Sequence, residues 1–129
     1  MDLEVPVDII KKYNIELYIV FGSYAENMNT PGSDLDLAYK SFKILSEDEE
    51  IELLNELSQF YQRGDLDLVN LSKAEPILKV EIAKKGRLLY GEKEKFEEFS
   101  IYAAAIYADT KHLRDERRKM LEKRLEVRH

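Results

Sequence analysis

The sequence predicts an α/β (α+β) fold in which a small mixed sheet is flanked by helices. The chain has 129 residues, 44% of them hydrophobic, which is enough for one domain with its own core. Short β-branched or alternating runs are separated by longer stretches with helical spacing of apolar residues. Strands that alternate with helices on so short a chain imply helices packed on a sheet in three layers or fewer. We therefore expect residues 1–129 to form a single domain.

The first elements are a short helix, a buried strand and a loop. Residues 7–13 have the spacing of an amphipathic helix that ends near Asn14. Residues 17–21, LYIVF, are a β-branched and aromatic run closed by Gly22, which is typical of a buried strand. Residues 26–32 hold the asparagine, proline and glycine cluster of a loop.

Two alternating strands and a helix between them follow. Residues 34–39, DLDLAY, and residues 65–71, DLDLVNL, alternate polar and apolar side chains with the period of a strand. Ser46 is a typical N-cap, and the acidic turn after it predicts a helix through about Tyr61. We expect this helix to bury a stripe formed by Ile51, Leu54, Leu57 and Phe60.

The last third of the chain predicts two helices separated by a short strand. Pro76 suits the first turn of a helix that reaches about Lys85 and stops at Gly86. Residues 87–90, RLLY, are a strand candidate. Residues 93–126 predict a C-terminal helical segment, either one long helix or a helix broken once.

Charge and composition exclude several classes of function. The net charge of −6 divides into +4 on residues 111–129 and −10 on the first 110 residues, which argues against broad nucleic-acid binding by the whole domain. The absence of cysteine excludes disulfides and thiolate sites, and two histidines argue against a histidine-built zinc site. No apolar run approaches the roughly 20 residues of a membrane span, and no signal segment follows Met1. We therefore expect a soluble, cytoplasmic protein whose metal ligands are oxygen atoms.

The residues that carry chemistry lie between Gly22 and Asp36. A strand that runs into Gly22-Ser23 lets the backbone approach an anion, and the Ser23 hydroxyl adds a donor. Ser33 precedes Asp34 and Asp36, which share one strand face with Cα atoms about 6.6 Å apart. This spacing suits carboxylates that hold two divalent ions roughly 3.5 to 4 Å from each other.

The third strand repeats the pattern. Asp65 and Asp67 share one face, so a further carboxylate reaches the same ions if this strand lies beside the second. Three carboxylates with a Gly-Ser turn predict a Mg²⁺-dependent site for nucleotidyl transfer, in which one ion activates a hydroxyl and the other holds the triphosphate. An isolated Asp-x-Asp is usually a solvated strand face, so the prediction depends on the combination.

At these residues the sequence resembles the polymerase beta superfamily of nucleotidyltransferases. More closely, it is similar to the minimal nucleotidyltransferase (MNT) antitoxins of HEPN/MNT toxin–antitoxin pairs. The similarity covers nearly the whole chain: G-S-x-A, S-D-L-D-L, D-L-V-N-L, A-x-P-I-L, G-x-L-L-Y and the long C-terminal helix. It implies a polymerase-beta-like core that transfers AMP from ATP to a tyrosine hydroxyl of a HEPN toxin, an RNase, and so silences it.

The resemblance also implies roles for individual residues. Asp34 and Asp36 would bind both Mg²⁺ ions, and Asp67 would bind the catalytic ion and help to deprotonate the acceptor. Asp67 is preferred over Asp65 because a hydrophobic pair, Leu68-Val69, follows it. The residues expected at the nucleotide phosphates are Gly22, Ser23 and Ser33.

One departure from the family pattern leaves alternatives open. Family members commonly have Arg-Gly where this chain has Glu26 and Asn27. Asn27 can adopt the left-handed conformation that glycine would supply. Glu26 replaces a cation with an anion that would repel phosphates unless it points to solvent or touches a metal ion. The alternatives are a module that neutralises its toxin by binding alone, and a nucleotidyltransferase for a small molecule such as an aminoglycoside.

The basic C-terminal helix is the expected contact with the HEPN-family toxin. Apolar residues recur every seven positions along it, at Phe99, Ile106, Leu113, Met120 and Val127. We expect the first two to pack on the domain itself and the later ones to face a partner. We therefore expect a hetero-oligomer, with a homodimer as the alternative. We expect no direct nucleic-acid binding by this chain, except through the partner.

Overall fold

A four-stranded mixed sheet organises the protein, as predicted. The computed structural model describes residues 3–127, with side chains through residue 125. The strands lie in the order β3-β2-β1-β4. The elements in chain order are α1 (Val7–Lys12), β1 (Ile15–Phe21), a 3₁₀ turn (Gly22–Tyr24), β2 (Leu35–Ser41), α2 (Glu47–Tyr61), β3 (Leu66–Asn70), α3 (Pro76–Lys85), β4 (Arg87–Tyr90) and α4 (Lys93–Val127).

The strand directions determine which residues meet at one end of the sheet. β1 is antiparallel to β2 and to β4, whereas β2 and β3 are parallel. Parallel neighbours need a crossover connection, and α2 provides it between β2 and β3. The end of β1 therefore lies beside the start of β2, and the start of β3 lies on the other side of β2.

Helices cover both faces of the sheet, and the side chains of β2 alternate between them. Leu35, Leu37 and Tyr39 pack with side chains of α1 and α2. Ala38 packs on the other face, in a cluster that includes Ile82 of α3 and residues of α4. The alternation sends Asp36 to the face covered by α3 and α4, because its neighbours in the strand occupy the opposite core.

The expected apolar stripe of α2 is wrong in part. The side chains buried completely are Leu53 and Leu57, whereas Ile51 is 58% exposed and Phe60 is also exposed. A strict spacing of three residues rotates around a helix by about 60° at each step, because an α-helix has about 3.6 residues per turn. Four such positions therefore cannot share one buried face. The pair separated by four residues faces the sheet instead.

α4 is one unbroken helix of 35 residues. Phe99 and Ala103 are buried in the core on the α3 side of the sheet, and Ile106 is partly buried. Farther along, Leu113 is 55% and Met120 60% exposed. The side chain of Val127 lies outside the described residues. Within residues 3–127, no helix combines the length and the apolar character that a membrane crossing requires.

We predict that Ser46→Ala lowers the free energy of unfolding by about 1 kcal/mol. Ser46 Oγ accepts a hydrogen bond from the Glu49 backbone N at 3.2 Å, and Glu49 Oε1 accepts one from the Ser46 N at 3.0 Å. Loss of this reciprocal cap leaves an amide at the start of α2 without its partner. Urea unfolding measures the change, with Ser58→Ala in the body of α2 as the control. An equal loss in both variants would contradict the prediction.

Candidate functional site

The parallel pairing of β2 and β3 brings two carboxylates side by side. Asp36 stands opposite Asp67 in the register of the two strands. Neighbouring strands are about 4.8 Å apart, so the two side chains leave the sheet close together and on the same face. Asp34 comes two residues before Asp36, just ahead of β2. The three predicted aspartates therefore lie at the same end of the sheet.

The pKa of Asp36 is raised by its surroundings. Burial is the largest cause that raises the pKa of Asp36 above its usual value, and the charges of Asp67 and Asp34 raise it further. Asp34 and Asp67 are themselves exposed to solvent. One partly buried carboxylate thus lies near two exposed ones, and a cation would relieve their electrostatic repulsion.

Gly22 lies directly against the Asp36 side chain. It follows Phe21, which pairs with Asp36 across the antiparallel strands, and its φ of +70° is in the left-handed region. A Cβ atom at Gly22 would collide with Oδ2 of Asp36. Only glycine combines this backbone conformation with so close an approach to a carboxylate.

The turn after β1 is tightly wound by its own backbone. The Ala25 N donates to the Gly22 O at 3.1 Å, and the Met28 N donates to the Ser23 O at 2.8 Å. Asn27 has a φ of 57°, so it adopts the left-handed conformation expected of it. Ser23 is partly buried and Glu26 is exposed. The anion at position 26 thus lies on the solvent side of the turn.

Ser33 takes part in the hydrogen bonds of the loop that precedes β2. Its Oγ accepts from the Thr30 N at 2.8 Å, and its backbone N donates to the Thr30 O at 3.0 Å. Ser33 also accepts, through its backbone O, a hydrogen bond from Arg63 Nη2 at 2.7 Å. These bonds fix the backbone immediately before Asp34.

Arg63 joins three segments around the carboxylates, and sequence reasoning missed it. Its guanidinium donates to both carboxylate oxygens of Asp65, at 2.6 and 2.7 Å, and to the Tyr24 hydroxyl at 2.7 Å. The same group lies over the Tyr24 ring, 5.2 Å from its centre. With its bond to Ser33, Arg63 ties the turn after β1, the loop before β2 and the start of β3 together. The only local signal was an arginine in the turn before the third strand.

The two aspartates of the third strand have different surroundings. Asp65 lies before β3, and the Arg63 side chain that donates to it holds its pKa below the usual value. Asp67 lies within β3 beside Asp36 and does not take part in this ion pair. Asp65 thus pairs with Arg63, whereas Asp67 lies beside Asp36.

The carboxylates of Asp34, Asp36 and Asp67 do not converge on a single metal-binding position. Within the described part of the chain, no three His, Cys, Asp or Glu side chains form a cluster that could hold a metal ion. The strand register brings Asp36 beside Asp67, with Asp34 two residues before Asp36, but the three side chains do not form such a cluster as placed.

Comparison with known proteins assigns the family. Residues 7–95 match the family described as polymerase beta, nucleotidyltransferase, which is more than half of the chain. The chain belongs to this family. The matched segment includes β1, the Gly-Ser turn and all three aspartates. The predicted resemblance to the polymerase beta superfamily and its fold is therefore confirmed.

Individual relatives narrow the resemblance to antitoxins. This chain is 28% identical over 108 residues to protein adenylyltransferase MntA of Shewanella oneidensis. The alignment covers 84% of this chain and 75% of that protein. A toxin–antitoxin crystal structure with AMP-PNP is similar with a TM-score of 0.76 and 25% identity, over 92% of this chain and 94% of that one. The predicted resemblance to MNT antitoxins is confirmed by these relatives.

A second solved structure shares the fold at lower identity. It is the complex of a tri-AMPylated HEPN toxin of Shewanella oneidensis with its MNT antitoxin. The similarity has a TM-score of 0.70 and 24% identity, over 92% of this chain and 92% of that one. At this level the likeness establishes a common fold.

We predict that Arg63→Met lowers the free energy of unfolding by about 1 to 3 kcal/mol. The substitution removes four hydrogen bonds and leaves the Asp65 carboxylate beside the other acidic groups without its partner. Urea unfolding measures the loss. Arg118→Met is the control, because Arg118 makes only an exposed pair with Asp115 at 3.5 Å, and it should change stability by at most about 0.5 kcal/mol. Equal losses would contradict the role of Arg63.

We predict that Asp36→Asn stabilises the metal-free protein at pH 7. A carboxyl group whose pKa is raised on folding contributes stability that is present at low pH and lost as pH rises through its folded pKa. Asparagine cannot ionise, so the variant escapes this loss, and its advantage disappears in acid. Urea unfolding with a chelator present, at neutral and at acidic pH, measures both effects, with Asp109→Asn as the control. A less stable Asp36→Asn protein at pH 7 would contradict the prediction.

Proposed function

We propose that the protein is an antitoxin that transfers AMP from ATP to a tyrosine hydroxyl of a HEPN-family toxin. Membership in the nucleotidyltransferase family supports the reaction class. The name of its relative MntA, protein adenylyltransferase, supports AMP as the transferred group. The AMP-PNP complex and the tri-AMPylated toxin complex support ATP as donor and a HEPN toxin as acceptor. A reaction that consumes ATP fits the expected cytoplasmic location.

The residues at the end of the sheet fit divalent cations. Asp34, Asp36 and Asp67 offer only carboxylate oxygens, the donors that Mg²⁺ prefers. Burial and then the charges of Asp67 and Asp34 raise the pKa of Asp36, and a bound cation would offset both effects. The side chains of Asp34 and Asp67 are exposed and can turn toward such a cation. When bound, two Mg²⁺ ions would neutralise the triphosphate and increase the acidity of the acceptor hydroxyl.

The chain's own residues would then divide the reaction among them. Backbone amides of the turn at Gly22 and the Ser23 hydroxyl bind the phosphates, as donors at a strand end do for other anions. The Ser33 backbone, held by Arg63, keeps Asp34 in place. The tyrosine oxygen bonds to the α-phosphorus as the bond to the bridging oxygen breaks. Pyrophosphate leaves, and the tyrosine proton passes to Asp67.

The departure at Glu26 is compatible with this chemistry. Glu26 is exposed, and the turn keeps its shape because Asn27 adopts the conformation expected of glycine. An anion on the solvent side of the turn is screened by water and salt, so its repulsion of the phosphates is weak. The catalytic proposal therefore takes precedence over binding alone.

The partner surface that we propose is the distal part of α4. Beyond residue 110 its side chains are mostly exposed, among them Leu113, Met120, Leu121 and Leu125. Basic residues surround these apolar ones. An exposed apolar stripe with a charged rim is typical of a protein interface. This surface also favours the second candidate function, neutralisation of the toxin by binding alone.

We predict that incubation of the HEPN toxin with this protein, ATP and Mg²⁺ adds one or more AMP units to the toxin. Intact-mass spectrometry measures the additions. Asp34→Ala with Asp36→Ala should abolish them, because two of the three proposed metal-binding carboxylates are removed. Asp8→Ala on the exposed face of α1 should leave them unchanged. Additions that persist in the double variant, or that are absent with the wild-type protein, would refute the proposal.

The same variants separate catalysis from binding alone in a toxicity assay. If transfer is the function, cells that express the toxin grow with the wild-type protein and stop growing with the Asp34/Asp36 double variant. Growth that is unchanged by the double variant and lost on truncation after Thr110 would instead favour neutralisation by binding.

A further inference from the structure

A cavity of about 430 Å³ lies on the same face of the sheet as the carboxylates, toward the other end of β2. Lys40 of β2 lines it, four residues beyond Asp36 and therefore about 13 Å away along the strand. The other walls come from α3, α4, β1 and the segment that follows β3. Its size is in the range of small-ligand sites. The cavity does not include any of the residues assigned to nucleotidyl transfer.

Lys79 of α3 is the unusual residue in this cavity. Only 8% of its surface is exposed, and it is the one buried charged residue among those described. Its Nζ lies 5.3 Å from the centre of the Tyr102 ring, which also lines the cavity. No side chain in residues 3–125 makes a salt bridge or hydrogen bond with this ammonium group. The stem of Lys79 is therefore buried, while its ammonium group is not among the buried unpaired atoms and reaches the open side of the cavity without an ion-pair partner.

The other charges of the cavity are already paired. Lys40 Nζ lies 3.5 Å from Glu16 Oε1, and Lys95 Nζ lies 3.5 Å from Glu98 Oε2. The cavity therefore has an excess of one positive charge, that of Lys79. A ligand with a single negative charge balances it. A polyphosphate would bring several negative charges close to Glu16 and Glu98, which opposes its binding.

The remaining walls of the cavity indicate which kind of group would carry the anionic charge of a ligand. Phe99 and Tyr102 of α4 and Leu71 after β3 give the cavity an aromatic and apolar side. Aromatic walls bind flat or apolar groups through burial and ring contacts. A carboxylate joined to an aromatic or apolar body satisfies both halves of the cavity.

We propose that this cavity is a second binding site, which accepts a carboxylate on an apolar or aromatic body with Lys79 Nζ as its ion-pair partner. Two sources share this chemistry: a free aromatic carboxylic acid, and an acidic side chain next to an aromatic residue in a bound peptide. The site is separate from the carboxylate end of the sheet, so the proposal does not depend on the adenylyltransferase function.

The test is a titration of isotopically labelled protein followed by NMR of the lysine side chains. The probes are phenylacetate, the capped dipeptide of phenylalanine and glutamate, and inorganic phosphate. We expect saturable shifts of the Lys79 Cε resonance with at least one of the two carboxylates. Which of them binds more tightly identifies the source. Phosphate should give no saturable shift at Lys79.

Two variants make the test specific. Lys79→Met keeps an apolar side chain of similar length and should weaken carboxylate binding about tenfold or more, because the ion pair is lost. Lys85→Met, at an exposed position of the same helix, should bind as the wild type does. Shifts on neighbouring resonances that persist in Lys79→Met, equal binding of phosphate, or no saturable shift with either carboxylate would overturn the proposal.

Discussion

The parallel register of β2 and β3 is the constraint on which the site depends. It sets Asp36 beside Asp67, while the antiparallel pairing of β1 with β2 presses Gly22 against the Asp36 carboxylate. Burial of the ionised Asp36 carboxylate, together with the like charges of Asp67 and Asp34, opposes folding and raises the pKa of Asp36. The buried cores on both faces of the sheet and the hydrogen bonds of Arg63 hold the strands in this register despite the repulsion.

Local sequence patterns predicted the elements and the candidate residues well, because both depend on short-range chemistry. The Ser46 cap, the Pro76 start and the Gly86 stop of the helices are found where expected. β1 begins two residues earlier than predicted, at Ile15, and β2 begins one residue later, at Leu35, so that Asp34 precedes the strand. The buried face of α2 was misjudged because spacing alone does not specify which side chains meet the sheet.

Long-range contacts could not be predicted from these patterns. Arg63 reaches Ser33 across 30 residues and Tyr24 across 39, and no local signal connects such positions. The burial of the Lys79 side chain beside Tyr102 is likewise a product of tertiary packing, because it requires α3 and α4 to lie together on the sheet. The net charge of −6 does not show how charge is distributed over the molecule. Three of the acidic residues lie at the candidate site, whereas the basic residues of the C-terminal segment lie on α4.

The most direct test of the account is to compare the two aspartates of the third strand. Mg²⁺-dependent binding of AMP-PNP, measured by titration calorimetry, should be weakened about tenfold or more by Asp67→Asn, which removes a carboxylate beside Asp36. Asp65→Asn should have a much smaller effect, because Asp65 pairs with Arg63. The opposite order, with Asp65→Asn abolishing binding and Asp67→Asn leaving it intact, would contradict the assignment of the site to the β2–β3 register.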